Sequence, residues 1–221
     1  MTTVGVLGTG QVGLTLAGRL AALGYTVTVG ARTSDSASLH PAAELPGVRT
    51  GSFADAARAA DLIINATNGM HSQAALGLAG EEALADKTIL DVSNALEPVE
   101  GGFPRPIATT DDSVGQRLQA AFPRSRVVKS LCTMNCKVMA DPSLVPGDHV
   151  VFLSGDDQTA KSEVQDLLAA MGWRPVQMID LGGIDTAAGQ ELLMSIWMRV
   201  TIARGPDAPR FNWAINAPDR P

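Results

Sequence analysis

Short apolar runs alternate with helical repeats along the first half of the chain. Residues 4–7 form a continuous apolar run that predicts a buried strand, and residues 11–23 carry valine and leucine at helical spacing. A second strand is predicted over residues 26–29, and Ser52, with Asp55 three residues later, marks the start of another helix. Strands that alternate with helices of this length are typical of a parallel sheet with right-handed crossovers.

The alternation continues beyond residue 60. Further strands are predicted over residues 61–65, 88–92, 125–129, 149–153 and 174–179. Further helices are predicted from about residue 70 and over residues 113–122, 157–171 and 185–203. Near the end of the chain Phe211, Trp213 and Ile215 alternate with polar or small residues, which favours a short edge strand.

The composition excludes several classes of protein. Of the 221 residues 45% are hydrophobic and 18% charged, and the net charge of −6 is too acidic for a nucleic-acid binder. No apolar run approaches the roughly 18 residues that a membrane crossing needs. Cys132 and Cys136 cannot form a disulfide framework, so we expect a cytoplasmic protein in which both are small buried hydrophobes. Neither nucleic acid nor a membrane is expected as a partner.

A glycine-rich turn lies between the first predicted strand and helix. Its pattern is G-x-G-x-x-G, in which Gly8 permits the tight turn, Gly10 lets the backbone approach a pyrophosphate, and Gly13 lets the helix pack closely on the strand. The N–H groups at the positive end of the helix would bind the phosphates. The predicted phosphate-binding residues are Gly8, Thr9, Gly10, Gln11, Val12 and Gly13.

The end of the second strand indicates which nicotinamide cofactor is used. An NAD site carries an Asp or Glu about 20 residues beyond the turn, where this chain has Arg32, Thr33 and Ser34. Arg32 can bind a 2′-phosphate bidentately and the two hydroxyls can donate hydrogen bonds to it, although Arg32 as a solvated surface residue is the alternative. Asp35 lies just past the strand end. We therefore predict NADP(H) as the cofactor.

Two other strand ends should face the same crevice, because ligands bind at the carboxyl ends of parallel strands. The first carries Asn65, Thr67 and Asn68, and the second carries Ser93 and Asn94. Their small and amide side chains suit a ribose and a nicotinamide carboxamide. The alternative is that they are helix caps and turn residues, which these residue types also favour.

Catalytic side chains are scarce in the sequence. The three histidines, His40, His71 and His149, show no metal-ligand spacing, and no nucleophile motif occurs. His71 is the one titratable group placed to face the crevice, although a solvated helix start is the favoured interpretation. We predict no catalytic residue and no metal site, which suits a hydride transfer in which the cofactors supply the reactivity.

Several segments, in this order, resemble the F-420:NADP oxidoreductase family. They are the Gly8–Gly13 turn, residues 29–32, 91–94, 128–130, 133–135, 139–142, 152–157 and 211–213. The resemblance implies that NADP lies along residues 9–12 and 32–33, and that the deazaflavin coenzyme F-420 is the second substrate. Hydride would pass between nicotinamide C4 and deazaflavin C5. The implied deazaflavin-binding residues, beside the final long helix, are Leu131, Cys132, Thr133, Met134 and Asn135.

Two other functions remain open at this stage. One is the NADPH-dependent reduction of another small substrate, an imine or a carbonyl, although such enzymes normally add a large helical second domain and only about 35 residues follow Asp185. The other is a non-catalytic NADP-binding redox sensor. Cofactor and acceptor assays discriminate among the three.

The predicted fold class is α/β, a Rossmann-type doubly wound parallel sheet with a small C-terminal capping extension. Residues 1–180 would form the NADP-binding domain, and residues 181–221 a helix and tail that complete the substrate cleft. The last helix is apolar over a wide arc, which fits a homodimer interface or a cover for the sheet. That arc contains Leu193, Met194, Trp197 and Met198.

Overall fold

The computed structural model describes residues 2–107, 109–205 and 210–216. Within them the strands are β1 Thr3–Leu7, β2 Thr26–Ala31, β3 Val48–Ser52, β4 Leu62–Asn65, β5 Thr88–Asp91, β6 Leu96–Glu97, β7 Arg105–Pro106, β8 Arg126–Ser130, β9 Val151–Ser154 and β10 Met178–Asp180. The helices are α1 Gln11–Ala22, α2 His40–Ala43, α3 Phe53–Arg58, α4 Ser72–Ala79, α5 Glu81–Leu84, α6 Val114–Ala121, α7 Cys136–Ala140, α8 Gln158–Met171 and α9 Ala187–Arg204.

Eight strands form one sheet in the order β10-β9-β8-β5-β4-β1-β2-β3, and β6 pairs with β7 in a separate hairpin. The six strands from β8 to β3 are parallel, which confirms the predicted Rossmann-type architecture. The last two strands differ from the prediction, because β9 runs antiparallel to β8 and β10 runs parallel to β9. The connection from β8 to β9 contains only the five-residue helix α7 and a 3-10 turn, too little helix to return along the sheet before a parallel strand.

The sheet has apolar side chains on both faces, which explains why its strands read as continuous apolar runs. Leu62 and Ile64 on β4 belong to one core cluster, and Ile63 between them belongs to the other. The first cluster includes residues of α1, α7 and α8, and the second includes residues of α3, α4 and α6. Helices on both faces leave the strand ends as the place for a ligand.

The start of α3 is capped as predicted, and the helix predicted over residues 157–171 ends where expected. The Ser52 side chain accepts a hydrogen bond from the Asp55 N–H and the Asp55 carboxylate accepts one from the Ser52 N–H, so a capping box starts α3. Gly172 ends α8 in the left-handed region at φ 112°.

Other expectations were wrong in detail. Strand β3 was not predicted, because it is a largely exposed edge strand and therefore lacks an apolar run. The strand predicted from residue 174 begins only at Met178, because Pro175 starts a 3-10 turn. Residues 211–215 form no strand: within the described residues the tail docks through the Trp213 carbonyl, which accepts the Val150 N–H at 2.8 Å. Residues 206–209 and 217–221 of the predicted extension lie outside the described residues.

Helix α9 buries one of its sides against the rest of the protein. Met194 and Met198 are buried, whereas Ile196 and Ile202 are 54% and 44% exposed. Among the described residues, no helix combines the length and the apolar character that crossing a membrane requires.

Candidate active site

The glycine-rich turn joins β1 to α1 with very close backbone packing. Gly8 has a φ of +125°, and a Cβ there would lie 2.6 Å from the carbonyl oxygen of Ala66. A Cβ on Gly13 would lie 2.2 Å from the carbonyl oxygen of Gly8. Gly10 is different, because among the described residues beyond its chain neighbours no atom lies within 4 Å of its would-be Cβ. Two glycines are thus needed for the fold, and the third leaves an open cradle.

The start of α1 has uncapped backbone N–H groups that can bind an anion. Gly10 is the N-cap residue, extended at ψ 176°, and within the described residues no side chain caps the helix. The first N–H groups of a helix have no partner inside it and carry partial positive charge, so those of Gln11 and Val12 are suited to a phosphate.

A cavity of about 470 Å³, called the first cavity below, opens beside this turn. Arg32 reaches its lining from the end of β2, while Thr33 and Ser34 are exposed next to it. His71, the N-cap residue of α4, is exposed and also lines this cavity. The lining residues are Gly8, Thr9, Gly10, Arg32, Phe53, Ala66, Thr67, Asn68, His71, Ala74, Ala75 and Leu78.

An acidic side chain stands next to the predicted 2′-phosphate contacts. The Thr33 hydroxyl hydrogen-bonds to Asp35 and, together with a backbone N–H, lowers the pKa of that exposed carboxyl group. Asp35 is therefore ionised at neutral pH. Asp35 lies three residues beyond Arg32 in the same exposed segment, so this end of the cleft has a cation with an anion close to it in sequence.

The polar residues after β4 divide between the cleft and the interior. Asn65 is fully buried: its Nδ2 donates to Asp91 Oδ1 at 2.8 Å, and its Oδ1 accepts from Thr67 Oγ1 at 2.7 Å. Asn68 Oδ1 accepts the Met70 N–H at 3.0 Å, which is a turn-forming hydrogen bond. Thr67 and Asn68 line the cleft, whereas Asn65 acts beneath it by joining the loops that follow β4 and β5.

A second cavity of about 410 Å³ continues from the first and shares Gly10, Ala66, Thr67 and Asn68 with it. Its other walls come from α1, from the segments after β5 and β8, and from α9. The further lining residues are Gln11, Val12, Val92, Ser93, Asn94, Leu96, Met134, Asn135, Cys136, Met139, Met194, Trp197 and Met198. Cys136 is the one ionisable side chain among these described residues, so the cavity offers little acid–base chemistry.

The segment predicted to bind the second substrate lies partly in this cavity and partly behind it. Met134 and Asn135 line the cavity. Leu131, Cys132 and Thr133 are buried, with exposures of 1% or less. Leu131 has a φ of +63°, which is uncommon for a residue with a side chain and marks a sharp turn at the end of β8.

Two polar atoms in the walls of the second cavity are buried without a partner among the described residues. They are Asn94 Oδ1 and Trp197 Nε1. The Asn94 amide is oriented by its Nδ2, which donates to the Cys132 carbonyl at 2.8 Å. Trp197 stacks on Phe211 at 5.6 Å between ring centroids. An unpaired acceptor and an unpaired donor are suited to a ligand that carries an amide or a carbonyl group.

A buried ion cluster lies behind the second cavity, and the sequence analysis did not identify it. The Lys129 ammonium Nζ lies 2.9 Å from Asp91 Oδ2 and 2.8 Å from Glu191 Oε1, and it also donates to the Ser93 carbonyl. Burial lowers the pKa of Lys129, but the two carboxylates outweigh that effect and raise it overall, so Lys129 is charged.

Each carboxylate of the cluster also accepts backbone hydrogen bonds. Asp91 Oδ1 accepts the Ser93 N–H at 3.1 Å. Glu191 accepts the Val114 N–H at 3.0 Å and the Gly115 N–H at 3.2 Å, at the start of α6. The cluster therefore fixes α9 and α6 relative to the loop after β5. A charged residue inside an apolar strand, as in residues 88–92 and 126–130, was the signal available in the sequence.

Both cysteines are buried, as predicted, and no disulfide joins them. Burial raises the pKa of Cys132 to about 12, with the Glu191 and Asp91 carboxylates adding to the effect against Lys129, so Cys132 is a neutral thiol. Cys136 lines the second cavity, and its sulfur lies 3.6 Å from Thr15 Oγ1.

Comparison with known proteins shows which family this chain resembles. Residues 3–95 match the family model for coenzyme F420-dependent NADP oxidoreductases. A solved structure from Arthrobacter sp. FB24, named as a candidate F420-dependent NADP-reductase, is 42% identical with a TM-score of 0.90, and the match covers 98% of this chain and 100% of that one.

Two further matches are more distant. Rat metalloreductase STEAP3 is 29% identical over 192 residues, which are 86% of this chain and 36% of the rat protein, so the chain spans about a third of that relative. An imine reductase from Myxococcus stipitatus, 15% identical with a TM-score of 0.65, shares the fold over 92% of this chain and 61% of its own. The near-complete match to the Arthrobacter structure settles the family. The chain is an NADP-dependent oxidoreductase that belongs to the family of coenzyme F420-dependent NADP oxidoreductases.

Proposed function

We propose that this enzyme transfers hydride between NADP(H) and the deazaflavin coenzyme F420. The observation that carries the proposal is a continuous cleft with two unlike ends. The first cavity joins an open glycine cradle to a guanidinium, and the second is mostly apolar and rich in methionine. The phosphates of an extended dinucleotide need a site like the first cavity. Two stacked planar rings need an apolar site like the second cavity.

At the phosphate end, the proposed contacts use backbone and charge. The N–H groups of Gln11 and Val12 would hold the pyrophosphate, for which Gly10 leaves room. Arg32 would pair with the 2′-phosphate, with hydrogen bonds from Thr33 and Ser34. These contacts favour NADP(H) over NAD(H), because NAD(H) lacks the phosphate group that the guanidinium would bind.

At the ring end, the proposed role of the protein is to orient two rings and to exclude water. The methionine side chains of α7 and α9 are flexible and polarisable, and so can pack on flat ring faces. Asn94 Oδ1 and Trp197 Nε1 supply an acceptor and a donor for ring substituents. NADPH bound there would supply the hydride that C5 of the deazaflavin accepts, and one proton taken up from the bulk solution would complete the balance. The shortage of ionisable groups in the second cavity suits this reaction.

Anaerobic mixing of the enzyme with NADPH and purified F420 tests the proposal. We expect the deazaflavin absorbance to fall as an equal amount of NADPH is oxidised, and the rate at low NADPH to fall roughly a hundredfold with Gly10→Ala. Parallel assays use FMN, an imine panel and a 2-hydroxyacid panel. Oxidation of NADPH by one of these acceptors, with F420 left unchanged, would contradict the deazaflavin assignment and leave the NADP assignment in place.

A further inference from the structure

The ion cluster of Asp91, Lys129 and Glu191 carries a net negative charge inside the protein. All three side chains are at most 1% exposed. Within the described residues, each hydrogen bond made by the two carboxylates is one that they accept, so neither has a partner to which a carboxyl proton could be donated. Both side chains thus bond as carboxylates, accepting at both oxygens and donating at neither. With one ammonium against two carboxylates, and with Cys132 a neutral thiol, the formal net charge is −1.

This charge lies directly behind the wall of the second cavity. Asp91 Oδ1 is 3.1 Å from the N–H of Ser93, which lines the cavity. Glu191 lies on α9 about one helical turn before Met194, which also lines the cavity. Because all three side chains are buried, the field of the cluster is screened much less than that of a surface charge.

We propose that the buried negative charge favours the oxidised nicotinamide ring over the reduced ring in the second cavity. The inference rests on the proposed function, which puts the nicotinamide there. A hydride leaves C4 with its electron pair, so a neutral dihydronicotinamide becomes a cationic ring. A nearby negative charge stabilises the cation that develops, makes bound NADPH a stronger hydride donor, and lowers the reduction potential of the bound couple. Asp91 and Glu191 are positioning residues in this proposal, because they act through the field and not by contact.

The direct test is the ratio of two dissociation constants, that of NADP+ divided by that of NADPH, measured by calorimetry. Glu191→Gln keeps the shape of the side chain and makes the cluster neutral. We expect the ratio to rise about tenfold in this variant, equivalent to roughly 30 mV in the potential of the bound couple. Glu82→Gln is the matched control, since Glu82 pairs with Arg124 at the surface, and its ratio should stay unchanged.

A merely structural role predicts a different outcome. If the cluster only holds α9 and the loop after β5 in place, Glu191→Gln weakens NADP+ and NADPH by the same factor and the ratio does not move, which overturns the proposal. Binding of 2′-phospho-ADP-ribose, which lacks the nicotinamide, reports whether the variant is folded at the phosphate end.

A second measurement needs no variant. The benzamide analogue of NADP+ has an oxidised-shape ring without the positive charge. The wild-type enzyme should bind NADP+ about tenfold more tightly than this analogue, and equal affinities would overturn the proposal even if Glu191→Gln fails to fold. Neither measurement uses F420, so failure of the deazaflavin assay and failure of this inference are separate results.

Discussion

The two cavities of the cleft differ in how the chain builds them. The first is made by the turn after β1 and the segment after β4, with Arg32 from the end of β2 and side chains of α3 and α4. The second collects side chains from α1, from three strand ends, and from α9, which begins near residue 187. Local backbone shape thus forms one wall of the first cavity, whereas long-range packing forms most of the second.

The supports of the two cavities differ in the same way. Behind the first lie close backbone contacts, such as the one between Gly13 and Gly8. Behind the second lies the ion cluster, which joins residues 91, 129 and 191 from three separate elements. The comparison predicts that loss of the buried Lys129 charge behind the second cavity lowers the stability of the fold. Changes to side chains that line the first cavity should instead weaken ligand binding and leave folding intact.

The largest expected effect comes from Lys129→Met. The substitution leaves two buried carboxylates without a cation, and removal of one partner from a buried ion pair typically costs about 3–5 kcal/mol. Denaturant unfolding should show a loss of this size. The matched control is Lys161→Met, because its partner Asp180 has a side chain 34% exposed and can be hydrated, so a loss of about 1 kcal/mol is expected. Equal losses for both lysines would contradict the distinction.

Two glycines of one turn separate folding from binding. Gly13→Ala puts a Cβ 2.2 Å from a backbone oxygen, so it should lower the free energy of unfolding markedly. Gly10→Ala meets no atom of the described chain within 4 Å and should fold normally. Its Cβ would instead occupy the approach of the pyrophosphate, and NADPH and NADH should both bind roughly a hundredfold more weakly by calorimetry. Normal NADPH binding by Gly10→Ala would contradict the proposal that the pyrophosphate lies against Gly10.

The sequence predicts the first cavity better than the second for a physical reason. A glycine that needs positive φ and a strand that ends in Arg32 are local features, visible at fixed spacing. Asn65 shows the limit of that reasoning, because its type and position suited a ligand while the folded chain uses it to bind Asp91. The contact between Lys129 and Glu191 spans 62 positions, and no local pattern specifies it. The reversed strand β9 likewise depends on the packing of the whole connection.

Arg32→Ala tests the charge at the first cavity. Loss of a charge-assisted contact of about 1.5–3 kcal/mol should weaken NADPH binding by roughly ten- to over a hundredfold and leave NADH almost unchanged. Arg58→Ala is the control, since Arg58 is exposed and pairs with Asp55 on neighbouring α3. Affinities of both cofactors, measured at one ionic strength, check the expectation. An equal loss for NADPH and NADH would refute the 2′-phosphate contact.

Asp35→Asn should have the smallest effect, and in the opposite direction. Thr33 holds the pKa of Asp35 below its ordinary value, so the carboxylate stays ionised through neutral pH and repels a 2′-phosphate beside it. Its neutralisation should tighten NADPH binding roughly two- to fivefold at low salt, and the gain should shrink at about 0.1 M salt, where the Debye length is about 10 Å. NADH should bind as before, and Asp112→Asn, at an exposed carboxylate paired with Arg117, should change the affinity of neither cofactor.

The lowered pKa of Asp35 also predicts how NADPH affinity depends on pH. Because the pKa is lowered, the repulsion persists as pH falls toward the ordinary range of an Asp and disappears only below it. Wild-type NADPH affinity should therefore owe no pH dependence to Asp35 between pH 5 and 8. A gain shared equally by NADH would mean that Asp35 acts on the shape of the exposed segment and not on the phosphate charge.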